Sequence, residues 1–152
     1  MCAVVLPCGV PPAATRMKLA VNLFLITLVS GLAEAWHFAQ NTGLDPAVFA
    51  RTIASGQMSS PIAQAKLAKL LDDDLSAQAA LADVWKNSDL IVAEAQAGGI
   101  AAPLITRCHQ LFRQAIDLGY AESDMIGVTK ALEHLDRSEA PPVPEKATGT
   151  TT

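Results

Sequence analysis

Cysteine, aromatic and basic residues are all scarce in this chain of 152 residues. Its three cysteines, Cys2, Cys8 and Cys108, are an odd number and form no CxxC motif, which argues against a disulfide framework or a zinc site. We therefore expect no bound metal and a reducing, cytoplasmic compartment. Lys and Arg together number 11 and form no basic run, and the formal net charge is -4, so nucleic acid is not an expected partner.

The motifs of several enzyme classes are also missing. The chain contains neither GxGxxG nor GxxxxGKS/T, and no stretch alternates polar and apolar residues with the period of a strand. We expect no sheet, no Rossmann domain and no complete dinucleotide site in it. The histidines lack metal-type spacing. Ser30, Ser55 and Ser88 have no evident base partner, so nucleophilic catalysis has no support.

The composition that remains suits a helical core, since 51% of the residues are hydrophobic and 17% are charged. Asp45-Pro46 and Ser60-Pro61 are typical helix starts, and Gly43 and Gly119 are typical helix stops. These signals predict helices at residues 13–42, 46–55, 61–71, 76–97, 103–118 and 124–136. We expect an all-α fold, a single bundle of about six helices around one long buried N-terminal helix.

The two ends of the chain differ from its middle. Residues 1–12 contain three prolines and are predicted to be irregular, and residues 138–152 form a Pro/Thr-rich tail that is predicted to be disordered. Residues 13–137 are expected to form one helical domain. The uncharged run 19–33 fits a helix buried in a core or between subunits. The alternative is a membrane anchor over residues 19–38, but the uncharged run is shorter than the about 20 residues that a span needs.

Three polar residues on the predicted helices are candidates for chemistry. Lys18 and Asn22 are four residues apart and share a helical face. An apolar environment lowers the proton affinity of a lysine amine, so it can donate a proton to the carbonyl of a substrate that a neighbouring amide side chain holds. Lys86, in the sequence VWKNSDL, is a candidate cation for an anionic ligand. The alternatives are a lysine that reaches solvent from a helix end, for Lys18, and a solvated surface lysine, for Lys86.

Several short motifs follow one another in an order that resembles the C-terminal domain of the β-hydroxyacid dehydrogenases. This family includes the 3-hydroxyisobutyrate dehydrogenases and the broader 6-phosphogluconate dehydrogenase-like group. The first of the motifs is MKLAVN, which contains Lys18 and Asn22, and the second is KNSDLI, which begins at Lys86. The remaining motifs are Ala33-Glu34-Ala35, Gly43-Leu44-Asp45, Pro103, Gly119-Tyr120 and Ser123-Asp124.

The resemblance implies an oxidoreductase domain that uses NAD or NADP and a small hydroxyacid substrate. It implies that Lys18 is the catalytic acid and base, that Asn22 binds the substrate, and that Lys86 contacts the nicotinamide cofactor. The cofactor would be contacted and not fully bound by this domain, because the phosphate-binding turn belongs to a Rossmann half. The expected partners are a second copy of the chain, in a homodimer, or a separate Rossmann-domain subunit.

The sequence departs from the family pattern at several positions. Of the family's glycines before the lysine, Gly9 is kept, whereas Pro12 and Ala14 replace the others. Asn87 stands where the family has aspartate. The Rossmann half that the family pattern places before this domain is missing as well, so the chain is expected to be a truncated form, inactive without a nucleotide-binding half. The alternative is a non-catalytic helical module for dimerisation or interaction that derives from such an enzyme.

Overall fold

The computed structural model describes residues 7–139 and contains no strand within them, which confirms the all-α class. Of the predicted irregular segment, residues 7–12 form no helix and residues 1–6 lie outside the described part. The predicted disordered tail lies almost wholly outside it as well. The helices are α1 (Ala13–Asn41), α2 (Pro46–Ser55), α3 (Pro61–Leu71), α4 (Leu81–Ala97), α5 (Pro103–Asp117) and α6 (Thr129–Glu139), with a 3-10 turn at Met125–Val128.

Side-chain caps set the starts of α2 and α3. The Asp45 carboxylate accepts hydrogen bonds from the backbone N–H groups of Ala47 and Val48 at 2.8 and 3.0 Å. The Ser60 hydroxyl accepts one from Ala63 at 3.2 Å. Such caps satisfy N–H groups that have no partner within the helix, and each stabilises the fold by about 1 kcal/mol. After α1, Gly43 adopts a φ of 78°, a left-handed conformation that favours glycine.

The core lies along one face of α1. In the larger cluster this face packs against α4, α5, the 3-10 turn and α6, and Val29, Ala33 and Phe112 are completely buried there. A smaller cluster joins the second half of α1 to α2 and α3, and consists of Leu32, Trp36, Ala50, Ala63 and Leu67. Burial of one large apolar side chain contributes about 2 kcal/mol. Because α1 supplies buried side chains to both clusters, it is the helix that connects the two parts of the core.

The opposite face of α1 is apolar but exposed. Met17, Val21, Phe24 and Phe38 keep 51%, 57%, 67% and 66% of their surface accessible. The helix is long and apolar enough to cross a membrane by length and composition, a property that the central helix of a folded bundle shares. The chain thus buries one face of its longest helix and leaves apolar residues on the opposite face uncovered.

The start of α4 differs from the sequence prediction. Ser76 was expected to cap this helix, whereas α4 begins at Leu81 without a side-chain cap. Residues 75–80 form a non-helical connection instead, because backbone groups of this segment and of Leu81 pair with the turn before the 3-10 helix. The Asp124 N–H donates to the Leu75 carbonyl at 2.8 Å, and the Leu81 N–H donates to the Ser123 carbonyl at 2.8 Å. The prediction of a helix start at Ser76 was wrong because backbone groups of this segment form hydrogen bonds with residues 121–125.

Two carboxylates next to α4 have lowered pKa values. The Ser76 hydroxyl and N–H, together with Lys69, lower the pKa of Asp74 to about 2. Burial alone would raise the pKa of Asp124, but hydrogen bonds from Lys66, Gln78 and Ile126 and the charge of Lys66 outweigh it and lower that pKa.

A carboxylate whose pKa is lowered by folding stabilises the protein above its unfolded pKa, near 4, and the stabilisation is lost as the pH falls through the folded pKa. We therefore expect Asp74→Asn to be less stable than the wild type at pH 7, and the two proteins to converge between about pH 4 and pH 2. Urea midpoints measured across this range test the prediction, with the exposed neighbour substitution Asp72→Asn as control. A stability gap for Asp74→Asn that is constant with pH would contradict it.

Candidate functional site

The first half of α1 carries two of the predicted site residues. Lys18 and Asn22 lie one helical turn apart, with Lys18 exposed and Asn22 half-buried. Within residues 7–139 the Lys18 ammonium makes no hydrogen bond and no ion pair. Its amine is thus available to an external group.

A contact between α1 and α4 brings the third predicted residue to the same region. The Asn22 Nδ2 donates a hydrogen bond to Asn87 Oδ1 at 3.4 Å, and the Asn87 Nδ2 donates to the Asp83 carbonyl at 2.8 Å. Lys86 is the residue before Asn87, is 68% exposed and lies 3.4 Å from the Asp83 carboxylate. The structure therefore joins the Lys18 face of α1 to the Lys86 turn of α4 through a pair of amides.

An apolar groove that the sequence did not predict lies beside this contact. It has a volume of about 680 Å³ and runs between the start of α1, the end of α4 and residues 98–105. Arg16 and Glu94 form an exposed ion pair of 3.0 Å at its edge, and Leu19, Leu23 and Ile91 are among its lining residues. Lys18, Asn22 and Lys86 do not line it. The spacing of Arg16, Leu19 and Leu23 was the available signal, since it places them on one helical face.

The prediction that Ser88 lacks a base was wrong. Its Oγ lies 2.9 Å from His109 Nδ1, and His109 Nε2 lies 3.9 Å from an Asp89 oxygen. Ser88 is completely buried, however, and its hydroxyl donates to the Trp85 carbonyl at 2.6 Å. Because the proton is used there and no substrate reaches the oxygen, this cluster connects α4 to α5 and does not form a nucleophile.

The remaining chemistry-bearing groups in the described part of the chain are not arranged as a site. No group of three or more His, Cys, Asp or Glu residues among residues 7–139 is placed to hold a metal ion. Burial raises the pKa of the Cys108 thiol, which keeps it protonated and unreactive. The amide contact and the two lysines beside it are therefore the best candidate site.

Comparison with known proteins now assigns the domain. A family model described as "NAD-binding of NADP-dependent 3-hydroxyisobutyrate dehydrogenase" matches residues 12–132, which is most of the chain and includes both α1 and α4. The chain belongs to this family. The match confirms the family that the resemblance implied.

The known proteins that this chain matches are longer. The chain is 24% identical over 124 residues to glyoxylate/succinic semialdehyde reductase 2, chloroplastic, of Arabidopsis thaliana. This alignment covers 82% of the chain but 35% of that protein. A 3-hydroxyisobutyrate dehydrogenase of Salmonella typhimurium has the same fold, with a TM-score of 0.77, 22% identity, and coverage of 80% of this chain and 43% of the other. Psf3 in complex with NADP+ and 2-OPP gives a TM-score of 0.70 at 22% identity, over 81% of this chain and 44% of the other. The chain thus spans less than half the length of these relatives.

Proposed function

We propose that this chain is the helical domain of an NAD(P)-dependent oxidoreductase that acts on small 3-hydroxyacids, and that it is inactive without a nucleotide-binding half. The observation that carries the proposal is the hydrogen bond of 3.4 Å between Asn22 and Asn87. It joins two helices whose exposed lysines, Lys18 and Lys86, then border one region. Two cations beside two amides suit a substrate that has a carboxylate and a carbonyl.

Each residue has a role in this proposal. Lys18 donates a proton to the substrate carbonyl oxygen during reduction and takes it back during oxidation, since its amine has no competing partner. Asn22 holds the substrate through the amide hydrogen that Asn87 does not use. The bound nicotinamide cofactor supplies or accepts the hydride. Lys86 offers its ammonium to the cofactor from the second turn of α4, and no phosphate-binding loop accompanies it, so NAD or NADP is contacted here and held mainly elsewhere.

The second candidate function is a non-catalytic interaction module. It is favoured by Asn87, which stands where the family pattern has a carboxylate, and by Pro12 and Ala14, which replace glycines before α1. An amide at position 87 cannot offer a negative charge to the substrate region, so the electrostatics there differ from those of a complete enzyme. In this case the chain would bind its partners without turnover.

Reconstitution of the missing half distinguishes the two functions. The chain is produced together with the nucleotide-binding half of a 3-hydroxyisobutyrate dehydrogenase. The reduction of NAD+ or NADP+ is measured with 3-hydroxyisobutyrate, and the consumption of NADPH or NADH is measured with glyoxylate and with succinic semialdehyde. We expect turnover at least about 100-fold above that of the nucleotide-binding half alone, which is the usual contribution of a placed general acid. A stable complex without turnover would overturn the enzymatic proposal in favour of the interaction module.

The partner that we propose, besides a separate Rossmann-domain subunit, is a second copy of the chain. The exposed face of α1 forms an apolar seam with the heptad spacing of three and four residues that two-helix packing uses. Its exposed members are Met17, Val21, Phe24, Gly31 and Phe38, and the half-buried Leu28 and Ala35 complete the spacing, although Leu28 also packs against the core. A Cβ at Gly31 would meet nothing within 4 Å, so this position leaves room for a neighbouring helix. We also propose a cytoplasmic location, with the seam covered by protein and not by a membrane.

A further inference from the structure

A buried ion pair lies between α3 and the 3-10 turn. Lys66 is 1% exposed and Asp124 is completely buried. The Lys66 Nζ donates to both carboxylate oxygens at 2.8 Å. Removal of two charges from water is costly, and an apolar pair of the same size is often equally stable, so stability alone is a poor explanation of such a pair.

The Asp124 carboxylate also accepts hydrogen bonds from backbone groups. Its Oδ2 accepts from the N–H of Gln78 at 2.9 Å and from that of Ala79 at 3.4 Å, and its Oδ1 accepts from Ile126 at 3.1 Å. One carboxylate therefore holds α3, the α3–α4 connection (residues 72–80) and the 3-10 turn together. An apolar residue in its place would leave three backbone N–H groups without this acceptor.

The α3–α4 connection determines where α4 begins. This helix has no side-chain cap, and the N–H groups of Leu81 and Ala82 donate instead to the carbonyls of Ser123 and Ala121, at 2.8 and 2.9 Å. Met125 donates to the Ala79 carbonyl at 2.9 Å from the other side of the same pairing. The turn that contains Asp124 thus replaces the missing cap of α4.

From these contacts we propose that Lys66 and Asp124 are positioning residues for α4. They fix the start of this helix, and through it the direction in which its second turn presents Lys86 and Asn87 to α1. Each residue of an α-helix turns by about 100°, so a slip of the whole of α4 by one residue against this connection would turn Asn87 away from Asn22. The positioning of α4 by this pair does not depend on the proposed function. Only the roles of Lys86 and Asn87 in binding rest on that function.

Hydrogen exchange at single amides separates positioning from overall stability. In Lys66→Met/Asp124→Leu the buried charges are gone, but the N–H groups of Gln78, Ala79 and Ile126 lose their acceptor, so this variant should be less stable than the wild type. We expect the exchange of the Gln78, Ala79 and Leu81 amides to accelerate at least about 100-fold more than that of the Phe112 amide in α5, which reports unfolding of the core. The nuclear Overhauser contact between the Asn22 and Asn87 side chains should be lost.

Lys69→Met is the matched control on the same helix. Lys69 is also buried and donates to Asp74 and to the Ser76 carbonyl, at 3.1 and 2.7 Å, so it holds the same connection without contacting Asp124. This variant should keep the contact between Asn22 and Asn87. Loss of that contact in the control, to the same degree as in the double variant, would contradict a specific role for the Lys66–Asp124 pair.

Asp124→Asn provides a second variant of similar shape if the double variant does not fold. Selective exchange around residues 78–82, with α5 still protected, supports positioning. Uniform loss of protection, or a double variant that retains the contact between Asn22 and Asn87, overturns it. Because neither readout needs turnover, the outcome is independent of the reconstitution experiment, whose failure would reject the enzymatic function alone.

Discussion

Lys18→Ala in the reconstituted enzyme is expected to lower kcat by about 100- to 10,000-fold, the range that a lost general acid produces. Lys18 is exposed and has no polar contact in the described residues, so its removal should change the free energy of unfolding by less than about 0.5 kcal/mol. Steady-state rates and a urea denaturation curve test both parts. A loss of rate without a loss of stability is the expected combination.

Two further variants show whether the lysine acts through its proton or only through its charge. Lys18→Arg keeps the positive charge, but a guanidinium does not release a proton at neutral pH, so this variant should remain as slow as Lys18→Ala. Lys86→Ala should raise the KM for the nicotinamide cofactor more than it lowers kcat, since Lys86 is proposed to bind and not to transfer a proton. Full turnover by Lys18→Ala would reject the assignment of Lys18.

Phe24→Glu should convert a homodimer of the chain into a monomer. Phe24 lies in the middle of the apolar seam and is 67% exposed in the single chain. A carboxylate that becomes buried between two α1 helices has no cation in the seam to pair with, so we expect the dissociation constant to rise by about 100-fold or more. Sedimentation velocity across a concentration series measures this change.

The matched control is Met58→Glu, which places the same charge on another exposed hydrophobic residue, 73% accessible and outside the seam. This variant should dimerise like the wild type. A wild-type chain that sediments as a monomer at all concentrations would reject the homodimer. A chain that floats with phospholipid vesicles, and no longer does so as Phe24→Glu, would show instead that the seam faces lipid.

The sequence predicted those parts of the fold that depend on neighbouring residues. The caps at Asp45 and Ser60 bond to N–H groups two or three residues away, so their dipeptides with proline were sufficient to place the starts of α2 and α3. The start of α4 was placed four residues too early, with Ser76 and not Ala80 in the N-cap position. Its first N–H groups bond to carbonyls of residues 121 and 123, and no local signal reports such a pairing.

The candidate site divides in the same way. Helical spacing placed Lys18 and Asn22 on one face, and the sequence also offered Lys86 as a cation for an anionic ligand. The resemblance to the family added the roles of all three residues, which remain predictions. The contact between Asn22 and Asn87 joins residues 65 positions apart, and the pair of Lys66 and Asp124 joins residues 58 positions apart. Lys66 lies among apolar residues on α3, which could have indicated that it is buried. Nothing in the sequence could have indicated that its partner is Asp124.

By itself, the sequence determined an all-α domain of the 3-hydroxyisobutyrate dehydrogenase family and the helix on which each candidate residue lies, because helix caps, breaks and faces are set within a few residues. Only the tertiary structure decided which face of α1 is buried, where α4 begins and that Asn22 meets Asn87. Those features depend on how distant segments satisfy each other's backbone and side-chain groups once the core has formed, and water is excluded from the bonds between them.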